Sequence, residues 1–342
     1  MYPEEDITLR DIGKNRMGVA QENFVSSLVS DSDLCIRQVL SQYDDDLQQV
    51  LWDFMKDGKR LRPFILACIT RMLNGDKAIA VRLAASIEIY HNATLIFDDV
   101  QDNSLMRRGK ATLNARFGSG IAISYASVLR SMMTKPLTDF LPANNSLYIY
   151  QWIHKVAILL SLGQYHEMMW SYRKDFHVSE KDYLEMARCK TGALIGLSAL
   201  LGGMSGSNDE IEKLFEFGCN LGIAYQIIDD IGNVDVTSEQ KKDKYSDIYE
   251  KKVTLLVVHA LEQDQEKWRN DLTTIFSKTE ITESDVLNVL RIFKDSSAME
   301  YCREVANHYV HNAIGLLLQI PVSDSIFRDR FITEIKEIII NA

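Results

Sequence analysis

Two short acidic patches contain the residues of this chain that are best suited to hold divalent cations. They are Asp98-Asp99-Val100-Gln101-Asp102 and Asp229-Asp230-Ile231-Gly232-Asn233, and each follows an apolar run. On a helix, the first and fifth positions of each patch lie one turn apart on the same face, so Asp98 lies over Asp102, which it repels, and Asp229 lies over Asn233. Divalent cations that bind the carboxylates and bridge them to an anionic substrate would relieve this repulsion. A solvated acidic turn is the alternative for either patch alone, but the repetition favours the cation site.

A basic segment, Arg107-Arg108-Gly109-Lys110, follows the first acidic patch closely. The planar fork of arginine binds phosphate oxygens through two parallel hydrogen bonds, and magnesium can supply the remaining positive charge. Cations and carboxylates so close in sequence therefore indicate a phosphate site. The alternative is a network of surface salt bridges, which would contribute little stability.

The composition is that of a globular helical protein. Hydrophobic residues make up 46% and charged residues 25% of the 342 residues, which is enough to bury a large core. There are only five prolines and 17 glycines, and this scarcity favours long helices over many strands. No linker composition occurs between residues 50 and 320. We therefore expect an N-terminal extension over residues 1–30 and a single all-α domain over residues 31–342.

Charge and cysteine content argue against several classes of protein. The net charge of −10 and the isoelectric point near 5.3 disfavour nucleic-acid binding, which needs a broad basic face. The five cysteines are scattered without Cys-x-x-Cys spacing, so neither a disulfide framework nor a zinc site is expected. The N-terminus lacks the apolar or Arg-rich pattern of targeting segments, and no apolar stretch reaches the length of a membrane span. We therefore expect a cytoplasmic protein without a transmembrane segment.

Apolar residues recur with the period of a helix along most of the chain. The pattern predicts helices over residues 33–56, 61–74, 76–104, 109–140, 146–172, 180–204 and 208–236, with further helices towards the C-terminus. Ser179, with Asp182 three residues later, is predicted to cap the sixth of these helices. No strand pattern is recognisable. The predicted fold is an all-α bundle whose long central helices line a cavity.

Several short motifs occur in a definite order along the chain. They are Gly58-Lys59-Arg60-Leu61-Arg62-Pro63, His91-Asn92-Ala93 followed by Asp98-Asp99-x-x-Asp102, Arg107-Arg108-Gly109, Gly163-Gln164, Lys190-Thr191-Gly192 and Gln226-x-x-Asp229-Asp230. Together they resemble the motifs of the trans-isoprenyl diphosphate synthases, the polyprenyl synthetase family, and most of all its eukaryotic-type geranylgeranyl diphosphate synthases. The resemblance implies the isoprenoid synthase fold of class I terpenoid synthases, a helical bundle around a central cavity. It also implies a homodimer.

The resemblance further implies a transferase that ionises an allylic diphosphate and joins the carbocation to isopentenyl diphosphate. Three magnesium ions, held by Asp98, Asp102 and Asp229, would stabilise the departing diphosphate, with Asp99 and Asp230 in support. By position in the family motifs, further residues are implied for each reacting group. They are Arg107, Lys190, Lys242 and Lys252 for the allylic diphosphate, Thr191 and Gln226 for the carbocation, and Lys59, Arg62, His91 and Arg108 for isopentenyl diphosphate.

In this family, bulky residues upstream of the first acidic motif form the floor that limits the growing chain. The residues five and four positions before Asp98 are Ala93 and Thr94, both small, whereas Tyr90 lies eight positions before it. The three further residues lower the floor by roughly 4.5 Å, about one isoprene unit. We therefore predict a C20 product, geranylgeranyl diphosphate.

Three features depart from the family pattern. Tyr165-His166-Glu167 stands where a small or apolar pair and an aspartate are usual, Lys251 replaces a glycine in Glu250-Lys251-Lys252, and the segment before Lys59 is long. They leave open a class I terpene cyclase or a prenyltransferase acting on another acceptor, and also a non-catalytic synthase subunit. The residues retained for isopentenyl diphosphate favour a synthase over the former. The five aspartates of the two motifs argue against the latter.

Overall fold

The computed structural model describes residues 19–138, 143–174, 176–206, 210–235, 244–263 and 265–340. Helices dominate these residues and confirm the predicted all-α class. In chain order they are α1 (Val19–Leu40), α2 (Asp45–Met55), α3 (Leu61–Met72), α4 (Lys77–Gln101), α5 (Leu113–Phe117), α6 (Ser119–Met132), α7 (Lys135–Thr138), α8 (Ala143–Arg173), α9 (Glu180–Ala187), α10 (Ala193–Met204), α11 (Ile211–Val234), α12 (Ser246–Tyr249), α13 (Leu255–Glu262), α14 (Glu266–Ser277), α15 (Glu283–Asp295), α16 (Ala298–Leu318) and α17 (Ser325–Ile340). A π-helical segment, Arg188–Gly192, joins α9 to α10. None of the helices in the described part of the chain combines the length and the apolar character needed to cross a bilayer.

Two of the predicted helices are interrupted. The prediction of one helix over residues 33–56 is wrong, because the chain leaves the helix after Leu40 and starts α2 at a cap. The Asp44 carboxylate forms this cap, accepting hydrogen bonds from the amides of Asp46 at 3.1 Å and Leu47 at 3.3 Å. The segment 109–140 likewise contains α5, α6 and α7 rather than one helix. Gly118, with φ of 84°, separates the first two.

A short hairpin corrects the prediction that the chain contains no strand. It pairs β1 (Met106–Arg107) with β2 (Lys110–Ala111) in antiparallel fashion. The two-residue turn, Arg108-Gly109, has positive φ at both positions, 51° and 72°, as a type I′ turn requires. Glycine adopts this conformation freely, but arginine does so rarely. For this reason the turn is not recognisable from the sequence.

The described residues group into two compact units. The first lies within Met1–Trp152, Leu197–Phe215 and Ile320–Thr333, and the second lies within Ile153–Gly196, Glu216–Gln319 and Glu334–Ala342. In the first unit, α4 packs against α1, α3 and α6. The predicted extension over 1–30 and single domain over 31–342 stay predictions, and residues 1–18 lie outside the described part of the chain.

In the second unit, the π segment and α11 meet backbone to backbone at glycines. A Cβ atom at Gly222 would overlap the Cα of Gly192, and one at Gly218 would lie 2.5 Å from the Cα of Gly196. The π geometry follows from the amide of Ala193, which donates to the carbonyl of Arg188 five residues earlier. Because glycines have no side chain, the π segment and α11 can pack with their backbones in contact.

The predicted cap of the helix after residue 179 is confirmed. The Ser179 hydroxyl accepts a hydrogen bond from the amide of Asp182 at 3.2 Å, and the Asp182 carboxylate accepts one from the amide of Ser179 at 3.1 Å. This reciprocal pair satisfies two amides at the start of α9.

Replacing Gly222 with alanine should destabilise the protein, because the added methyl group meets backbone atoms that cannot rotate away. We expect the free energy of unfolding to fall by at least about 2 kcal/mol. Gly315 in α16 is the matched control, since a Cβ atom there meets no atom within 4 Å. Gly315→Ala should be neutral or should stabilise the helix by roughly 0.5–1 kcal/mol. Urea denaturation of both variants measures the difference, and equal midpoints would contradict the close approach.

Candidate active site

The first acidic patch lies at the C-terminal end of α4, where Asp102 is the C-cap. Arg107 binds two of its aspartates: Nε donates to Oδ1 of Asp99 at 2.7 Å, and Nη2 lies 3.6 Å from Oδ2 of Asp98. Asp99 is almost fully buried, and burial raises its pKa to about 6 although Arg107 opposes the change. Asp99 therefore orients Arg107, and the more exposed Asp98 and Asp102 are the better candidates for metal ligands.

The hairpin divides the basic segment between two tasks. Nζ of Lys110 lies 2.5 Å from Oδ2 of Asp57, and both side chains are exposed, so this contact is an ordinary surface salt bridge. Nη1 of Arg108 instead reaches the segment before α3, where it would lie 3.3 Å from a Cβ atom at Gly58. Arg107 thus faces the acidic patch, whereas Arg108 lies beside the Gly58–Arg62 segment.

A buried ion group holds that segment in place. Arg60, with φ of 57°, donates from Nε to Oδ1 of Asp33 at 2.7 Å and from Nη1 to Oε1 of Glu88 at 3.1 Å. Arg60 and Glu88 are both buried. Sequence reasoning assigns no task to either residue, because their pairing depends on the packing of α4 against the start of α3. The other two cations of the segment, the exposed Lys59 and the half-buried Arg62, are the candidates for binding a phosphate.

His91 on α4 contacts the next arginine of the segment. Its Nε2 lies 3.1 Å from Nη1 of Arg62. Burial, followed by the charges of Arg62 and Arg108, lowers the pKa of His91 well below its usual value. A neutral imidazole accepts the N–H of Arg62 at Nε2 and carries its own hydrogen on Nδ1. His91 therefore orients Arg62 as a neutral acceptor and adds no charge of its own.

The three positions predicted to set product length lie upstream of Asp98 on α4. Ala93 is fully buried, and Tyr90 is nearly so, which raises the pKa of its phenol. Thr94 is half-buried, and its hydroxyl donates to the carbonyl of His91 at 2.7 Å. The Thr94 oxygen is thus turned towards its own helix. The effect of these residues on product length stays a prediction.

In the second unit, hydrogen bonds join Thr191 on the π segment to Asp230 on α11. The Thr191 hydroxyl donates to Oε1 of Gln226 at 2.5 Å, and Nε2 of Gln226 donates to Oδ1 of Asp230 at 2.8 Å. The hydroxyl of Tyr183 donates to Oδ2 of the same carboxyl group at 2.6 Å. Burial, and after it the charge of the nearby Asp247, raises the pKa of Asp230 to about 8. Since both of its oxygens accept hydrogen bonds, Asp230 is placed to orient Gln226.

Asn233, the last residue of the second acidic patch, fastens a neighbouring segment to α11. Its Nδ2 donates to Oγ of Ser246 at 2.7 Å, and its Oδ1 accepts the amide of Asp247 at 3.2 Å. Burial raises the pKa of Asp247 to about 6, and the surrounding charges that act on it belong to candidate site residues. They are Lys252, Asp229, Glu167 and Lys190. Asp247 is a site residue that sequence reasoning misses, although its place one turn before Glu250-Lys251-Lys252 is a signal for it.

Lys190 donates a hydrogen bond to Glu167 on α8. A Cβ atom at Gly163, one turn earlier on α8, would overlap the amide nitrogen of Lys190. The glycine of Gly163-Gln164 is therefore explained by packing against the backbone of the π segment. The ammonium group of Lys190, to which a diphosphate would bind, is therefore paired with the Glu167 carboxylate.

Lys252, the second lysine of the unit, also lies among carboxylates. Its Nζ is 2.7 Å from Oε2 of Glu250 and 3.6 Å from Oδ1 of Asp247. The predicted site residue Lys242 lies outside the described residues.

The carboxylates of both units suit magnesium, which prefers oxygen ligands. In the first unit, Oδ2 of Asp99 is buried and accepts no hydrogen bond within the described ranges. In the second, the charge of Asp229 raises the pKa values of both Asp230 and Asp247, as expected for crowded carboxylates. Neither unit, in its described residues, brings three acidic, histidine or cysteine side chains together as a complete metal centre. This arrangement fits a cation that takes its remaining ligands from phosphate oxygens.

Comparison with known proteins finds similarity over most of the chain. The family model of polyprenyl synthetase matches residues 44–293. The geranylgeranyl diphosphate synthase of Saccharolobus solfataricus is 35% identical over 277 residues, which are 79% of this chain and 82% of that relative. The geranylfarnesyl diphosphate synthase of Aeropyrum pernix is 35% identical over 280 residues, 78% of this chain and 85% of the relative. Among solved structures, the geranylgeranyl pyrophosphate synthetase from Pyrococcus horikoshii has a TM-score of 0.83 and 30% identity, covering 94% of this chain and 99% of its own.

Asp230 should make the stability of the metal-free protein depend on pH. Its pKa of about 8 exceeds the value of about 4 in an unfolded chain, so the folded protein binds this proton more tightly. The stability that the group contributes is complete below the unfolded pKa and is lost as the pH rises through the folded one. Asp230→Asn cannot ionise, so it should gain stability relative to the wild type as the pH rises. The gain between pH 4 and pH 9 should be at least about 1 kcal/mol. Urea denaturation with a chelator at both pH values tests this, and a difference independent of pH would contradict it.

Proposed function

Because the chain belongs to the polyprenyl synthetase family, we propose that it condenses an allylic diphosphate with isopentenyl diphosphate to give mainly geranylgeranyl diphosphate, a C20 chain. Family and relatives make it an isoprenyl diphosphate synthase. The observation that most favours elongation over cyclisation is the ordered contact of Arg62 with His91, beside which the hairpin holds Arg108. We assign these side chains to a second phosphate site, which an enzyme that only ionises an allylic diphosphate does not need.

The allylic diphosphate is assigned to the carboxylates and to the cations that pair with them. Magnesium, three ions by resemblance to the family, supplies the Lewis-acid charge that stabilises the departing diphosphate. Asp98, Asp102 and Asp229 are the residues that would hold it. Arg107, Lys190 and Lys252 bind the phosphate oxygens, and each is already oriented by a carboxylate: Asp99, Glu167 and Glu250, respectively.

Thr191 and Gln226 are assigned to the carbocation that follows ionisation. The Thr191 hydroxyl gives its hydrogen to Gln226, so its lone pairs remain available to face a positive charge. Asp230, in turn held by Tyr183, accepts from Nε2 of Gln226 and thereby fixes which way the amide points. Oxygen dipoles oriented in advance stabilise developing charge without reorganisation. The released diphosphate serves as the base for the final proton, and no side-chain nucleophile is required.

We further infer a cytoplasmic homodimer, as the family resemblance implies. Apolar side chains that α6 leaves exposed, Ile121 and Ile123, support a contact with a second copy. Light scattering of the purified chain measures its mass in solution. A monomer at micromolar concentration would remove the dimer from this proposal.

A single assay separates the proposed function from its alternatives. The pure protein is incubated with magnesium and farnesyl diphosphate, with and without isopentenyl diphosphate, and the products are identified. Geranylgeranyl diphosphate formed only with both substrates is the expected result. A cyclic hydrocarbon formed without isopentenyl diphosphate would establish a cyclase, and the absence of any product would favour a non-catalytic subunit. Omission of magnesium should abolish elongation, because Arg107, Lys190 and Lys252 alone do not supply the Lewis-acid charge that the departing diphosphate needs.

Tyr90 is proposed to limit chain length, so Tyr90→Ala should shift the products beyond C20. Removing the ring opens space below the floor, and the tail gains about one isoprene unit for each 4.5 Å or so of added depth. Tyr309→Ala, which truncates a half-buried tyrosine on α16, is the matched control and should leave the products unchanged. Chromatography of the dephosphorylated products measures chain length. The same distribution from Tyr90→Ala and the wild type would exclude Tyr90 as the floor.

A further inference from the structure

Lys251 adopts a backbone conformation that ordinarily requires glycine. Its φ is 60°, in the left-handed region. Lys251 follows Glu250, the C-cap of the short helix α12. The backbone amide of Lys251 donates to the carbonyl of Ile248 at 3.1 Å. The amide of Lys252 donates to the carbonyl of Asp247 at 2.8 Å. These two bonds define a Schellman motif with Lys251 at the position where glycine is preferred.

The Lys251 side chain reaches the carbonyl-rich end of another helix. Its Nζ donates to the carbonyl of Lys278 and, at 3.3 Å, to that of Thr279, immediately beyond the last residue of α14. A helix C-terminus leaves carbonyl groups without intrahelical partners and attracts cations. The backbone carbonyl of Lys251 also accepts a hydrogen bond from the Ser171 hydroxyl on α8, at 3.2 Å. A glycine at this position would keep the backbone turn but would lose the contact with α14.

The segment fastened in this way carries two charged site residues. Asp247 lies at one end of it, where Asn233 holds its amide, and Lys252 lies at the other, directly after Lys251. Nζ of Lys252 is 2.7 Å from Glu250 and 3.6 Å from Asp247. The position of the Lys252 ammonium group therefore depends on a backbone that is attached to α11 at one end and to α14 at the other.

We propose that Lys251 is a positioning residue, whose ammonium group ties the Asp247–Lys252 segment to the end of α14 and so fixes Lys252 where the diphosphate binds. The inference rests on the proposed function only for the identity of the ligand. The contact between Lys251 and the end of α14 does not depend on which ligand binds. Lys251 compensates for an unfavourable backbone conformation with a side-chain contact that a glycine could not make.

Three variants and a control test this role. Lys251→Gly relieves the left-handed conformation and removes the tie, Lys251→Met removes the charge but keeps the length of the side chain, and Lys251→Arg keeps a donor. The control is Lys174→Gly, because Lys174 also has positive φ, 53°, and donates to the carbonyl of Ser277 at 2.8 Å at the same helix end. Lys174 adjoins no residue assigned to the diphosphate.

Lys251→Gly and Lys251→Met should lower kcat/KM for farnesyl diphosphate and weaken the affinity for inorganic pyrophosphate with magnesium, each on the order of tenfold. The unfolding midpoint of Lys251→Gly should not fall, Lys251→Arg should restore both quantities, and Lys174→Gly should match the wild type. Unchanged kinetics and pyrophosphate affinity in Lys251→Gly would overturn the proposal.

Hydrogen exchange separates this outcome from failure of the proposed function. If the wild type does not elongate farnesyl diphosphate, the function is wrong, but amides of residues 246–252 should still exchange faster in Lys251→Gly than in the wild type. Equal exchange rates in the two proteins would show that Lys251 does not fasten the segment, whether or not the enzyme elongates farnesyl diphosphate.

Discussion

Charged side chains keep a fixed position inside a protein only when opposite charges or hydrogen-bond partners are buried with them, and the first unit depends on this constraint. Glu88, on the middle of α4, is buried against Arg60, which also binds Asp33 on α1. This ion group fixes the backbone that carries the exposed Lys59 and the half-buried Arg62. At the end of the same helix, Asp99 holds Arg107 in a comparable way. The charged side chains that are accessible to a ligand are thus held in position by buried ones, Glu88 and Asp99 among them.

In the second unit, polar side chains are held in position by the close approach of helix backbones. Gly163 and Gly222 let α8 and α11 approach the π segment until a methyl group would collide with it. At that distance the short side chain of Thr191 reaches Gln226, and Lys190 reaches Glu167. The polar groups are therefore placed by helix packing, and the glycines of the motifs serve this packing more directly than they serve chemistry.

The long helices could be predicted because their apolar residues repeat with the helical period, as in α4 and α11. The motifs also identified the acidic and basic residues that each unit brings together. What the sequence could not show depends on tertiary contacts. Arg60 and Glu88 pair across separate elements, and Asp247 is held because its backbone amide donates to Oδ1 of Asn233. The hairpin at 106–111 was missed for a local reason, since Arg108 occupies a conformation that its residue type disfavours.

The π segment places a constraint on how this chain can vary. Its five residues, Arg188–Gly192, include one more than an α-helical turn would accommodate at the same bond, so the chain holds an inserted residue within an otherwise continuous helical rod. Deleting one residue there would restore α geometry, and α10 would turn by much less than the roughly 100° of a deletion inside a regular α-helix, because the wide turn already absorbs the extra residue. What would be lost is the wide turn itself, which places Lys190 beside Glu167 and Thr191 beside Gln226. A chain one residue shorter in this stretch would therefore keep its helical rod but lose the width on which these two contacts depend.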